Sequence, residues 1–179
     1  MAGRGGFNAI TPEQMRHLLA IRASDVDDEE CDEAIMEAVS KIEAEISSKS
    51  PYFHDVDKAW DAIHRSLTGD RTPGGVLTPG TGRGPLKYCV LGEEQMIEAD
   101  HHTVALVKPG TVRKVATALA KIDAAELRKR FFRLDREVIT DYTIDDEGFA
   151  YTWSNFAGLP AFYSRAAADG RAVLFVADH

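Results

Sequence analysis

The chain has 179 residues, of which 44% are hydrophobic and 28% are charged, and this balance is typical of a globular rather than a disordered protein. A chain of this length fits one domain with a sizeable apolar core. The 29 acidic residues outnumber the 21 basic ones, and the net charge of -8 disfavours nucleic acid and anionic membrane surfaces as partners.

The first residues and the cysteines indicate a cytoplasmic protein. The N-terminal segment lacks the apolar stretch of a signal peptide, and no apolar run approaches the ~20 residues that a membrane helix needs. Cys31 and Cys89 lie in apolar patterns and form neither a disulfide framework nor a zinc signature. No nucleotide-binding motif is present, so we predict neither a metal ion nor a cofactor.

The spacing of apolar residues predicts short strands and amphipathic helices within a single α/β domain. Strands are predicted at Phe7–Ile10, Leu86–Leu91, Thr103–Val107 and Ala172–Ala177. Helices are predicted after Thr11-Pro12 and at about Asp25–Lys49, Asp55–Leu67, Pro109–Ile122, Asp123–Phe132, Phe149–Phe156 and Ala161–Asp169. The uniformly apolar strand Ala172–Ala177 is expected to be covered on both faces of its sheet.

Residues 69–85 are rich in glycine and proline, which predicts a long loop between the third helix and the next element. The segment Gly80–Pro85 matches neither of the glycine-rich motifs that cradle phosphates. Long loops often act as lids over a site, so this loop is a candidate lid.

The predicted third helix carries the best candidate for chemistry. His64 falls beside the apolar stripe that includes Trp60, and helical spacing places Asp57 and Asp61 next to it. A carboxylate there would orient the imidazole as a general base requires. The alternative is a structural histidine at the edge of the core, which we favour because no nucleophile stands nearby in the sequence.

Two other clusters carry polar side chains. Adjacent histidines at 101 and 102 point to opposite faces of an extended strand, so His101 and His102 are poorly placed to bind one metal ion. The basic residues of the chain concentrate in one segment, namely Arg128, Lys129, Arg130, Arg133 and Arg136. We expect this segment to complement the end of its own helix and to pair with the acidic helix predicted at Asp25–Lys49, and the alternative is a docking surface for an acidic partner or anion.

Several short motifs, in their order and spacing, resemble the YfbM-like family, a bacterial family of domains of unknown function. They are Trp60-x-x-Ile63-His64-x-x-Leu67-Thr68-Gly69, Pro85-Leu86, Val90-Leu91-Gly92, the helix Thr111–Ile122, Glu126-Leu127-Arg128, and the ending from Ala161-Phe162-Tyr163-Ser164-Arg165 to Val176. The resemblance covers nearly the whole chain and implies one α/β domain with a small mixed sheet and several helices. It brings no activity, cofactor or catalytic residue. It does indicate that Trp60, His64 and Gly69 belong to the pattern of the family.

The sequence predicts a non-catalytic binding protein, such as an adaptor or an inhibitor of another protein. Trp60, His64, Thr68 and Gly69 are the candidate binding residues. The alternative prediction is a small hydrolase that uses His64 with Asp57 or Asp61 under the glycine-rich loop. The sequence indicates nothing about oligomeric state.

Overall fold

A computed structural model describes residues 3–72, 79–99, 102–136 and 142–178. The strands are β1 (Gly5–Ile10), β2 (Phe53–Asp57), β3 (Glu94–Ala99), β4 (His102–Val107) and β5 (Ala172–Asp178). The α-helices are α1 (Pro12–Arg22), α2 (Asp28–Glu45), α3 (Trp60–Thr68), α4 (Pro109–Leu119), α5 (Ala124–Phe131), α6 (Asp146–Phe156) and α7 (Leu159–Ala168). A short 3-10 helix covers Pro85–Tyr88.

The strands form one five-stranded sheet in the order β2-β1-β5-β4-β3, which confirms the α/β class. The expected mixed sheet is wrong in one respect, because every described strand pairing is antiparallel. The sequence pattern of β5 is equally compatible with an antiparallel sheet, provided that helices cover both of its faces. They do: every residue of β5 from Ala172 to Ala177 is buried.

Two apolar cores lie on opposite faces of this sheet because successive side chains of a strand point to opposite sides. Phe175 of β5 packs in the core that α3, α4 and α7 cover, whereas Leu174 packs in the core that α1 and α2 cover. The helix stripe predicted from Ile35, Val39 and Ile42 is buried in the second core. The central strands therefore contribute to both cores at once.

Local capping interactions set several helix ends where the sequence predicted them. The Thr11 hydroxyl accepts a hydrogen bond from Gln14 N at 3.2 Å, and the Gln14 side chain accepts one from Thr11 N at 2.8 Å. Asp123 caps α5 by accepting from Glu126 N at 2.8 Å. Each cap satisfies an amide at a helix start that has no partner inside the helix.

Two segments differ in type of secondary structure from the sequence prediction. The predicted helix from Asp55 begins only at Trp60, and residues 53–57 form the edge strand β2 instead. The predicted strand at 86–91 is the 3-10 helix and a turn, after which β3 pairs with β4. In both places the apolar pattern is too short to distinguish helix from strand. Residues 53–57 pair with β1, whereas residues 86–91 belong to none of the described strand pairings.

Within the described residues, no helix combines the length and the apolar character that a membrane crossing requires.

Candidate functional site

Helix α3 is buried on all its sides, although only part of it is apolar. Trp60, Ile63 and Leu67 contribute to the core beneath the sheet, as the predicted stripe requires. The polar face is buried as well, with Asp61, His64, Arg65 and Ser66 each at most 6% exposed. Burying polar groups costs free energy unless they find partners. The contacts of these four side chains therefore show whether the polar face has a structural role.

Asp61 and Arg65 form a buried ion pair one helical turn apart. Arg65 Nε donates to both carboxylate oxygens of Asp61, at 2.9 and 3.1 Å. The same guanidinium donates from Nη1 to the carbonyl oxygen of Thr72 at 2.8 Å. Burial raises the pKa of Asp61, and the positive charge of Arg65 opposes that rise. The pair thus ties α3 to the chain segment that follows it.

His64 is fully buried, so its predicted position at the edge of the core is wrong. Its Nε2 lies 3.6 Å from a carboxylate oxygen of Asp70, a residue that the sequence prediction missed. Gly69 adopts a left-handed conformation with φ of 75° and turns the chain back after α3, which brings Asp70 beneath the imidazole. The sequence did contain a signal for this arrangement, because Gly69 is a residue type that commonly ends helices and the carboxylate of Asp70 follows it directly.

The other predicted carboxylate lies elsewhere. Asp57 belongs to β2 rather than to the helix, so the helical spacing that placed it beside His64 does not exist. Its carboxylate accepts a hydrogen bond from the Tyr151 hydroxyl at 2.8 Å and pairs with Arg4 at 3.3 Å. Asp57 therefore takes part in a surface network that joins β2 to α6 and to the N-terminal segment.

The remaining candidate residues have structural contacts. Trp60 Nε1 donates to the carbonyl oxygen of Gly3 at 2.9 Å, and its ring packs against Phe175. Thr68 donates from its hydroxyl to the His64 carbonyl oxygen at 2.8 Å. In the predicted loop, residues 73–78 lie outside the described part of the chain. Gly82, at its far end, lies so close to Thr68 that an added Cβ would approach it to 3.0 Å.

An arginine-lined cleft opens beside the end of α3. This inner cleft has a volume of about 300 Å³, and its charged lining consists of Arg65, Arg71, Arg130, Arg133 and Glu126. A shallower outer cleft of about 580 Å³ adjoins it and shares Arg71, Arg133 and Leu134 with it. Part of the predicted basic segment, on and after α5, thus faces Arg71, which follows α3 in the chain.

The arginines of the clefts differ in how far the protein neutralises them. Arg130 pairs with Glu126 at 2.7 Å and also donates to the Leu67 carbonyl oxygen at 3.4 Å. Arg130 therefore contacts the end of α3 rather than the end of its own helix α5, and its carboxylate partner lies on α5 rather than on the acidic helix α2. The expectation for the basic segment is wrong for Arg130 in both respects. The side chains of Arg71 and Arg133 make no hydrogen bond or ion pair to any residue in the described ranges, although the charge of Arg133 adds to the hydrogen bond from Arg130 in lowering the pKa of Glu126. Their guanidinium groups are exposed at the junction of the two clefts.

The predicted histidine pair is described only in part. His101 is outside the described residues. His102, at the start of β4, places Nδ1 3.1 Å from a carboxylate oxygen of Asp178 at the end of β5. Across the described ranges, no group of three His, Cys, Asp or Glu residues is arranged to hold a metal ion.

Comparison with known proteins supports the family resemblance. The family model described as a domain of unknown function, DUF1877, matches residues 1–176. The chain belongs to the DUF1877 family.

A solved member of the same fold is YfbM from Escherichia coli, which is described as a protein of unknown function. The two structures align with a TM-score of 0.64 at 23% sequence identity, over 97% of this chain and 99% of that chain. The similarity at this identity concerns the fold alone. No curated protein matches the chain. The DUF1877 assignment brings no activity with it, so the clefts and the buried helix α3 must be interpreted from their own chemistry.

Proposed function

We propose that this protein is a non-catalytic binding protein that holds an acidic segment of another protein in the arginine-lined clefts. The observation that carries the proposal is the pair Arg71 and Arg133. Both line the two clefts, and neither contacts a carboxylate within the described part of the chain. Cations without a partner at a concave surface favour a ligand of opposite charge.

The charge distribution supports this proposal. The whole chain carries a net charge of -8, so a general attraction for acidic partners is absent. The inner cleft departs from that average, since four arginines and one glutamate line it. Guanidinium groups bind carboxylates through two parallel hydrogen bonds, which gives both affinity and orientation. A local cationic site on an acidic protein selects a partner by position rather than by bulk charge.

An exposed aromatic residue precedes Arg133 in the chain. Phe132, in the turn after α5, is 39% exposed and is one of the large exposed hydrophobic residues of the described chain. The Arg128 guanidinium stacks over its ring at 4.6 Å. Interfaces between proteins commonly combine exposed aromatic and arginine side chains.

The alternative prediction, a hydrolase that uses His64, receives less support. A general base must reach the proton that it removes, and the imidazole of His64 has no exposed surface. Asp61 is held by Arg65, and Asp57 lies on another element. The side chains of His64 and Asp70 are both buried, and we attribute their contact to the packing of the polar face of α3 against the segment that follows it. The hydrolase that uses His64 stays a prediction.

Binding of a labelled glutamate-rich peptide, followed by fluorescence anisotropy at low salt, tests the proposal. We expect the double variant Arg71→Gln/Arg133→Gln to weaken binding by roughly tenfold, because it removes two charge-assisted contacts. The matched control is Arg113→Gln/Lys114→Gln, which removes two cations from α4, where they line a separate open depression. Absence of peptide binding to the unmodified protein, or equal weakening by both double variants, would overturn the proposal.

A further inference from the structure

We infer that the inner cleft is a binding site for a phosphate monoester, so that the acidic partner presents a phosphorylated side chain there. This inference rests on the proposed function and narrows it to one chemical class of ligand. The residues that carry it are Arg71, Arg133 and Ser66. Arg71 and Arg133 supply positive charge from the segments that follow α3 and α5. Ser66 supplies a hydroxyl from α3.

Ser66 is the observation that separates this cleft from an ordinary basic surface. It lines the inner cleft and is 3% exposed, and its Oγ has no hydrogen-bond partner in the described structure. Buried hydroxyl groups are usually paired, and an unpaired one costs free energy. The group that Ser66 lacks is a hydrogen-bond acceptor next to the cleft. The hydroxyl oxygen is itself buried, so we expect a bound anion to displace the side chains that cover it and then to supply this acceptor.

The neighbouring acceptors are already in use. The Leu67 carbonyl oxygen accepts from Arg130, and the His64 carbonyl oxygen accepts from Thr68. The carbonyl groups at the end of a helix would otherwise repel an anion. Arg130 offsets that repulsion, and its ion pair with Glu126 keeps the one carboxylate of the lining occupied. The end of α3 is thereby prepared for a negative ligand.

The charge and the number of donors match phosphate better than a carboxylate. Of the four arginines in the lining, Arg65 pairs with Asp61 and Arg130 pairs with Glu126, so Arg71 and Arg133 supply two positive charges without a partner. A phosphate monoester carries about -1.5 to -2 at neutral pH and offers three strong acceptor oxygens. A carboxylate offers two oxygens and a single charge. Two arginines without partners and one unpaired hydroxyl form three separate donor groups, one for each terminal oxygen of phosphate.

The first experiment titrates the 15N-labelled protein with inorganic phosphate and, separately, with acetate, while amide chemical shifts are recorded. We expect phosphate to shift the amides of Ser66, Arg71 and Arg133 in a saturable manner and acetate to bind at least several-fold more weakly. Arg133→Gln should weaken phosphate binding by roughly tenfold and Ser66→Ala by a few-fold. Arg113→Gln, the control on α4, should leave it unchanged. Phosphate binding that matches acetate, or that survives Arg133→Gln, would overturn the inference.

A second experiment distinguishes failure of this inference from failure of the proposed function. Peptides of one sequence carry phosphoserine, glutamate or serine at a single position, and their binding is measured by calorimetry. Tighter binding of the phosphoserine peptide, lost in Arg133→Gln, is the expected result. Equal binding of the phosphoserine and glutamate peptides would reject the phosphate site and retain the acidic partner. Binding of neither peptide would reject both. Ser66→Ala should fold normally because it removes a hydroxyl that has no partner, so a loss of binding in that variant reports on the site.

Discussion

Asp61 and Arg65 form a buried ion pair whose rupture should be costly. The Arg65 side chain is 1% exposed, and its Nε–H is shared between the two carboxylate oxygens of Asp61. We expect Asp61→Ala to lower the free energy of unfolding by about 3–5 kcal/mol, because it leaves the Arg65 charge buried without its partner. Urea unfolding followed by circular dichroism measures this loss.

The control for that variant replaces both partners with apolar side chains. Asp61→Leu/Arg65→Met should cost less than Asp61→Ala alone, since no unpaired charge remains in the core. Some cost should persist, because Arg65 also donates to the Thr72 carbonyl oxygen. A double variant that is less stable than Asp61→Ala would show that the pair does not account for the effect.

His54 should make stability depend on pH. Its imidazole is packed near Phe7 and Phe162, and its Nε2 donates to the Asn155 carbonyl oxygen at 2.9 Å. Burial lowers the pKa of His54 below its ordinary value of 6.5. The unfolded chain therefore binds more protons than the native one in this range, and stability is lost as the pH falls below 6.5.

Urea unfolding at pH 7.5 and pH 5 tests this prediction. His54→Gln keeps a donor for the carbonyl but cannot be protonated, so we expect it to reduce the loss of stability between the two pH values. His17→Gln is the control because His17 is exposed on α1. An unchanged pH dependence in His54→Gln would contradict the assignment.

Among single residues, the sequence predicted His64 as a site but not its surroundings. The helical spacing was sufficient to place Asp61 one turn away. It could not show that the chain reverses at Gly69 and brings Asp70 to the imidazole. It could not show the burial of His64 either, because α5 and the segment after α3 cover this face only in the folded protein. For the same reason Arg71 was not connected with the basic segment at 128–136.

At the level of elements, the entry into β3 depends on a glycine. Gly92 has a φ of 62°, and an added Cβ would lie 2.7 Å from the Leu106 carbonyl oxygen of β4. We expect Gly92→Ala to lower the free energy of unfolding by about 2–5 kcal/mol, since it combines a left-handed backbone with a clash against another backbone. Thermal unfolding measures this change.

Gly110→Ala is the matched control for that variant. Gly110 lies in the first turn of α4, and an added Cβ would meet nothing within 4 Å. Alanine there should be neutral or stabilising, by up to about 1 kcal/mol, because it reduces the freedom of the unfolded chain. Equal destabilisation by both substitutions would show that the close approach to β4 is not the cause.

The helices were easier to predict than the strands. Caps such as Thr11 and Asp123 act within a few residues, so the sequence alone reveals them. The edge strands β2 and β3 carry no comparable local signal. Each is defined by its hydrogen bonds to one neighbouring strand, β2 to β1 and β3 to β4.

On the scale of the whole molecule, the antiparallel sheet separates the core under α1 and α2 from the side of the molecule that carries the clefts. One face and its helices α1 and α2 form an apolar core, with an acidic first turn on α2 at the surface. The other face supports α3, α4 and α7, and only on this side do α3 and α5 meet to form the inner cleft. The proposed binding site therefore belongs to a single side of the sheet.

The sequence by itself determined the α/β class, most of the helices, the buried central strand and the membership of a family, because these depend on composition, periodicity and local motifs. Only the tertiary structure decided that the sheet is antiparallel, that α3 is buried on its polar face, and that Asp70 rather than Asp57 meets His64. It also brought Arg71 and Arg133, which are 62 positions apart by their numbers in the sequence, to one cleft. Contacts of that kind depend on chain reversals and helix packing, which leave no pattern in neighbouring residues.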